Sequence, residues 1–281
     1  MCGRTSIPLT LILCAVLGCS SEADRRARRV TLRGSDTMVP FGMYWAEEYT
    51  AANPRIRVSV NGGGSGTGLA ALFNGTADLA MASRSASESE LRKAADRGQP
   101  LVETVVGFDA IAVIVHPDNP VGTLTVEQLR GLFDGTITNW AELGGPDRPV
   151  QALSRESNSG TFVFFSEHVL NKGDLGPAAR LMPSSSAIVQ SVAQDVGSIG
   201  YVGLEYSHKA PVKLVALKAS PTAPAVEPAE VTVRDKTYPL ARPLFLYSLG
   251  APRGAAAEFL DWVVSPAGQE PIADLGGIPL K

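Results

Sequence analysis

Three times in the first 170 residues a strand-like run passes through a short Gly/Ser/Thr turn into a helix-like run. VTLR (30–33) leads through GSDT (34–37) into MVPFGMYWAEEYTAA (38–52). IRVSV (56–60) leads through NGGGSGTG (61–68) into LAALFNG. VQALS (150–154) leads through RESNSGT (155–161) into a helical run that ends at HVL. Each time the hydrophobic period switches from 2 to 3.6. A chain patterned this way joins strands by crossover helices, so its sheet is largely parallel, with helices on both faces. Turns of this kind open at the carboxyl ends of strands, where such sheets form their crevices.

The remaining segments extend the pattern. ADLAMAS (77–83) is a strand, and residues 87–97 form a charged amphipathic helix. LTVEQLRGLFDG (124–135) is a helix with a Thr cap and a Gly stop. Residues 185–195 form another helix, SIGYVG and VKLVAL are strands, and residues 219–230 are a Pro/Ala/Glu-rich loop. RPLFLYS is a strand returning late, before AAAEFLDWVV and PAGQEPIADLG close the chain as helices. VETVVGFDAIAVIV (102–115) is a long apolar strand region, interrupted at Gly107, Phe108 and Asp109. Two α/β blocks result, residues 30–105 and 110–240, without an internal repeat. The runs at 106–110 and 241–246 are the candidate crossings between them. A chain of 281 residues, 44% of them hydrophobic, has enough apolar mass for one or two cores. A formal charge of −3 argues against general nucleic-acid binding.

Residues 1–18 (MCGRTSIPLTLILCAVLG) carry a positive start and an apolar core at 7–17, too short to span a bilayer comfortably. They are predicted to be a lipoprotein signal peptide. VLGC resembles a lipobox, with Cys19 the lipidated residue. Cleavage before Cys19 removes Cys2 and Cys14, and the lone thiol left in an oxidising compartment is accounted for by lipidation. Residues 19–29 then form a polar tether.

Each of the three turns has a plain reading, a capped and flexible loop. Each also has an anion reading. Consecutive glycines let backbone approach a ligand, and Ser65 and Thr67 stand where a helix starts, as caps beside its free amides. No Lys follows, so NGGGSGTG is not a Walker A loop. Ser35 and Thr37 offer the same groups in GSDT. RESNSGT adds the planar fork of Arg155, which matches two oxygens of a phosphate-like anion, with Ser159, Gly160 and Thr161 opening the next helix. The plain reading of Arg155 is a surface residue paired with Glu156. Asp109 sits inside an apolar run, where a carboxylate needs a partner. Either it caps a turn or pairs with a distant Arg, or it accepts the O–H of an anion that still carries a proton. In the second case it admits hydrogen phosphate and repels sulfate. His116, His168 and His208 have no metal-ligand spacing, and no nucleophile–base pair is readable. Trp45, Trp140 and Trp262 are expected to be packing residues.

GSDT at 34–37, GGGSGTG at 62–68, ADLAMASR at 77–84, GFDAIAVIV at 107–115 and RESNSGT at 155–161 together resemble the phosphate-binding proteins of bacterial ABC phosphate importers. TVEQLRGLFDGTITNW (125–140) and GSIGYVG (197–203) extend the resemblance over the mature chain. It implies an α/β, two-lobed periplasmic-binding-protein fold, each lobe a mixed sheet flanked by helices, joined by a two-strand hinge. Lobe 1 is expected at 30–107 plus 244–281 and lobe 2 at 108–243. The implied ligand is inorganic phosphate, held by Ser35, Thr37, Ser65, Ser83, Asp109, Arg155, Ser159, Gly160 and Thr161, with Arg155 its one formal counter-charge. The implied partners are the transmembrane subunits of an ABC permease, with an extracytoplasmic, lipid-anchored location and no metal, cofactor or catalysis. Some members carry an Asp two residues after this Arg. Here Ser157 stands there, with Glu156 adjacent, which leaves open the acid that orients Arg155. The competing readings are a receptor for sulfate or molybdate, a phosphate sensor, and a phosphatase-like enzyme.

Overall fold

A computed structural model of the chain describes residues 28–281. The expected signal peptide, Cys19 and most of the tether lie outside the described residues. In chain order come β1 (Arg28–Gly34), α1 (Val39–Ala52), β2 (Ile56–Asn61), α2 (Ser65–Phe73), β3 (Leu79–Ala82), α3 (Glu88–Asp96) and β4 (Leu101–Val115). Next are β5 (Thr123–Thr125), α4 (Val126–Asp134), β6 (Gln151–Arg155), α5 (Gly160–His168), β7 (Arg180–Met182), α6 (Ser185–Gln194), β8 (Ser198–Gly203) and α7 (Leu204–Ser207). The chain ends with β9 (Lys213–Leu214), β10 (Ala216–Lys218), α8 (Glu230–Arg234), β11 (Ala241–Leu249), α9 (Ala255–Val263) and α10 (Pro266–Asp274). β1 starts at Arg28, inside the stretch expected as tether.

The punctuation residues act as the sequence suggests. Ser87 and Glu90 form a reciprocal capping box on α3, and Thr125 and Gln128 form one on α4. α4 stops at Gly135 in the left-handed region, φ 83°.

The strands form one mixed sheet in the order β2-β1-β3-β11-β4-β8-β6-β7, with β9 also on β4, while β5 and β10 pair separately. β1 is parallel to β2 and β3, and β6 is parallel to β7 and β8. β4 is antiparallel to both β11 and β8. Its first part pairs β11 from Leu101↔Leu249 to Ala110↔Ala241, and its last part pairs β8 from Ile111↔Gly203 to Val115↔Ile199. These senses make β1 and β3 run with β4, and β6 and β8 run against it. The carboxyl ends of the two sets therefore point at each other across the middle of β4, where Asp109 sits.

β4 departs from the expected interruption at Gly107–Asp109. It is one 15-residue strand. The irregularity is a register shift in which Leu244 faces Gly107 and the next residue, Phe245, faces Val105. Val106 is the extra residue of a bulge, and a bulge breaks alternation without ending a strand. VKLVAL is also not one strand, because it passes from β9 on the main sheet to β10 on the small one.

Apolar residues gather in two main cores on either side of this midpoint. One holds Leu32, Phe41, Trp45, Tyr49, Met81 and Phe259. The other holds Ile111, Phe133, Trp140, Phe165, Tyr201 and Leu240. Phe165 stacks on Tyr201 at 3.9 Å, which seats α5 against β8. The buried indoles of Trp45 and Trp140 donate to Gly268 O and Gly197 O, so both are packing residues.

Candidate functional site

The facing strand ends bring most of the expected residues into one buried network. Ser35 and Thr37 lie on the turn after β1, Ser83 follows β3, Ser65 opens α2, and Gly160 and Thr161 open α5. Ser35, Thr37, Ser65, Ser83, Asp109, Arg155, Ser159 and Thr161 are each at most 2% exposed. Polar groups buried this deeply must be hydrogen-bonded to be tolerated. Ser35 Oγ donates to Ser83 Oγ at 3.0 Å, and Ser65 Oγ accepts from Ser83 N at 3.1 Å. Thr37 Oγ1 and Thr161 Oγ1 meet at 2.9 Å, from turns on opposite sides of the midpoint. Gly160 packs so closely that a Cβ there would lie 2.3 Å from Ser65 Oγ and 2.8 Å from Ser83 Oγ.

The two Gly/Ser loops also bond directly. Gly66 N donates to Asn158 O at 3.0 Å, and Asn158 Nδ2 donates to Gly63 O at 2.9 Å and Thr67 Oγ1 at 3.2 Å. The expected caps on α2 are not what forms. Gly64, at φ 99°, is the N-cap residue, so the helix already includes Ser65 and Thr67. Thr67 Oγ1 bonds Gly63 O, while the Ser65 hydroxyl meets β3's end. Ser159 does cap α5, accepting from Phe162 N at 3.4 Å. The first-turn amides of α2 and α5 have no acceptors within their own helices, and their dipoles favour negative charge.

Arg155 is not paired with Glu156. Its Nη1 donates to Asp36 Oδ2 at 3.0 Å and to Ser185 Oγ at 3.1 Å, and its Nη2 donates to Pro183 O at 3.1 Å. The acid that orients it is thus the Asp of GSDT, between Ser35 and Thr37. Ser185 N holds the same Asp36 oxygen at 2.8 Å, and the Tyr206 hydroxyl donates to Asp36 O at 2.8 Å. Burial above all pushes the Tyr206 pKa up, which keeps that donor protonated. Burial likewise pushes the Tyr201 phenol up to about 12, and its oxygen sits 2.6 Å from Ser154 Oγ. Arg155 Nε is buried without a protein acceptor.

Asp109 has the distant Arg of the alternative reading. Arg242 on β11 is its direct register partner, and Nε and Nη2 reach Asp109 Oδ2 at 2.9 and 2.7 Å. Leu204 N donates to Oδ1 at 3.1 Å. Arg242 Nη2 continues to Thr37 Oγ1 at 3.3 Å and Thr161 Oγ1 at 3.1 Å, and Nη1 reaches Ser83 O at 3.1 Å. One fully buried guanidinium therefore joins Asp109 to the hydroxyl network. Two arginines, each held by a carboxylate, therefore stand at this cluster, where the sequence reading named one. The signal for Arg242 was present in ARPLFLYS: a cation inside an apolar strand mirrors the Asp inside GFDAIAVIV. Among the described residues, no group of three His, Cys, Asp or Glu side chains is placed to hold a metal ion.

The PBP superfamily domain matches residues 20–267. The phosphate-binding protein PstS of Pseudomonas aeruginosa is 37% identical over 264 residues, covering 88% of this chain and 81% of that protein. The chain belongs to the PBP superfamily, in its PstS-like branch.

Solved structures agree with that placement. A putative phosphate ABC transporter substrate-binding protein from Clostridium perfringens, determined with bound phosphate, is 29% identical with a TM-score of 0.82, covering 90% of this chain and all of that one (100%). An ABC-type phosphate transport receptor from Vibrio cholerae is 30% identical with a TM-score of 0.70, covering 89% and 99%. The two-lobed α/β architecture of the PBP superfamily accounts for the two cores and for the cluster between them.

Proposed function

We propose that the chain binds inorganic phosphate between two lobes, residues 30–107 plus 244–281 and residues 108–243, and delivers it to the transmembrane subunits of an ABC permease. As a PBP-superfamily member it is a binding protein and not an enzyme, and it works outside the cytoplasm. The observation that carries the phosphate reading is the buried meeting of hydroxyls, helix N-termini and carboxylate-held arginines at the strand ends. Such a site neutralises an anion with fixed dipoles and donors, which suits a chain whose overall charge is −3. Ser35, Ser65, Ser83, Thr37 and Thr161 exchange their mutual contacts for oxygens of the anion, Ser159 and Gly160 present the start of α5, and Arg155 Nε supplies a further donor. Lobe closure follows from contacts available only when both sides reach the ligand. Cys19 anchors the mature chain to the membrane through lipid. Mass spectrometry of the mature N-terminus tests this, and an unmodified Cys19 refutes it.

Calorimetry with phosphate and sulfate tests the central reading. Tight phosphate binding with sulfate at least about a hundredfold weaker is expected. Equal affinities, or no phosphate binding, overturn it. The Asp109 carboxylate stands against any fully ionised anion that touches Arg242, whereas hydrogen phosphate turns an O–H toward it. Asp109→Asn removes that charge and is expected to narrow the preference for phosphate about tenfold or more. An unchanged preference means that Asp109 does not discriminate.

Gly160→Ala tests closure. Its backbone is helical and tolerates Ala, but the new methyl meets Ser65 Oγ and Ser83 Oγ at 2.3 and 2.8 Å. Overpacking of this kind costs about 1–3 kcal/mol, so phosphate binding is expected to weaken about tenfold. Wild-type affinity in this variant places the ligand-bound contact elsewhere.

A further inference from the structure

Among the described residues, Glu205 is the one buried acid that the hydroxyl network and its two Arg/Asp pairs do not use. It is 7% exposed, and neither of its carboxyl oxygens receives a hydrogen bond from a donor side chain or well-placed amide. Its carboxyl folds back over Gly203, where a Cβ would lie 2.3 and 2.5 Å from the two oxygens. Gly203 faces Ile111 across the β4–β8 ladder, two residues from Asp109, and the neighbouring Leu204 N already bonds Asp109 Oδ1. Glu205 directly follows Leu204, so its carboxyl lies beside the Asp109 carboxyl and feels that charge. Two carboxylates side by side, both buried, repel and leave each other without a donor. One proton between them removes both costs.

We propose that Glu205 is a positioning residue: a neutral carboxylic acid that donates its O–H to Asp109 and so aims the Asp109 carboxylate at Arg242. Asp109 is the accepting member of the pair, because Arg242 bonds it twice and Leu204 N once. Glu205 has no such cation bonded to it. Burial first, and the Asp109 charge second, hold its carboxyl well above the usual carboxylate range, with its own backbone N–H and then Arg242 only partly offsetting them. The titratable or charged groups that face it are Asp109 from β4, Arg242 from β11 and Tyr206 from its own short helix. The bonded unit Glu205–Asp109–Arg242 reaches Thr37 and Thr161 through Arg242 Nη2, so the proton on Glu205 bears on the anion site. Ionising Glu205 adds a negative charge there. Anion affinity accordingly falls as pH rises through the range in which Glu205 loses its proton, beyond what phosphate's own ionisation causes. The sign for stability is the same. The folded chain holds a proton that the unfolded chain releases above about 4.3, so stability declines as pH rises from there to the folded-state pKa.

Infrared spectroscopy of the purified chain at neutral pH is expected to show the carbonyl band of a protonated carboxylic acid, absent in Glu205→Gln. Calorimetry with inorganic phosphate is expected to show Glu205→Leu about tenfold weaker than wild type, because Asp109 loses a donor, and Glu205→Gln recovering most of that loss through its amide N–H. The wild-type to Glu205→Gln affinity ratio is expected to fall with rising pH over the same range in which the infrared band titrates. Absence of the band, its survival in Glu205→Gln, a pH-independent ratio, or wild-type affinity in Glu205→Leu each overturns the proposal. If Glu205→Leu does not fold, the ratio and the band decide. The affinity arm rests on the phosphate-binding reading above and the infrared arm does not, so failure of one is distinguishable from failure of the other.

Discussion

Arg155→Ala is expected to weaken phosphate binding about a hundredfold or more in calorimetry while the fold survives. The guanidinium ties Asp36, on the turn after β1, to Ser185 Oγ and Pro183 O ahead of and within the first turn of α6. Truncating one member of a buried, hydrogen-bonded charge pair costs about 2–5 kcal/mol, much of it the penalty on the charge left behind. The charge left behind here is Asp36. Ser185 N keeps hold of it at 2.8 Å, so it stays beside Ser35 and Thr37 and repels the incoming anion. Arg155→Lys is expected to recover only a small part. An ammonium is a point charge and does not reproduce the planar fork that meets Asp36, Ser185 and Pro183 together. Affinity within about threefold of wild type in Arg155→Ala would remove Arg155 from the site.

Arg242→Met is expected to cost the chain about 3–5 kcal/mol of stability, because it strands Asp109 as an unpaired buried carboxylate. For a domain of this size that corresponds to a Tm lower by about 10 °C. Both side chains of the pair are fully buried, and the Nη2–Oδ2 distance is 2.7 Å. Arg242 also bonds Ser83 O, Thr37 and Thr161, and its guanidinium lies 5.8 Å from the Phe164 ring. The strand pair that crosses between the two cores is therefore pinned to turns on both sides of the site by one residue. Asp109→Asn with Arg242→Met removes both charges of this pair and is expected to regain more than half of the stability lost. A denaturant-unfolding double-mutant cycle measures the coupling. A loss under about 1 kcal/mol in Arg242→Met would show that Asp109 finds another partner or takes a proton.

Much of the architecture was legible because it rests on local physics. Period switches located the strand–helix units, and Thr125, Ser87 and Gly135 act on groups within a turn of themselves. Where local reading missed, a longer-range constraint had won. Ser65 does not cap α2, since the preceding Gly64 turn starts the helix early and β3's end claims the hydroxyl. The apolar run around Gly107 looked broken because a bulge shifts side-chain alternation without ending the ladder. The candidate binding residues were legible as types, hydroxyls near helix starts and one Arg at a strand end. Their pairings were not, because no local pattern encodes a contact between residues 119 or 133 positions apart.

By itself the sequence determined that strands alternate with helices, that three Gly/Ser/Thr turns stand at strand ends, and that Asp109 and Arg155 needed partners. Those properties follow from periodicity, turn chemistry and the cost of burying charge, all of which act over a few residues. Only the tertiary structure decided which groups meet. The opposed senses of β1 and β6 turn their carboxyl ends toward one point. The β4–β11 register sets Arg242 opposite Asp109, and the turn after β1 delivers Asp36 to Arg155. Pairings of this kind depend on strand order and register, which packing of the whole chain selects and which a shift of a single residue would undo.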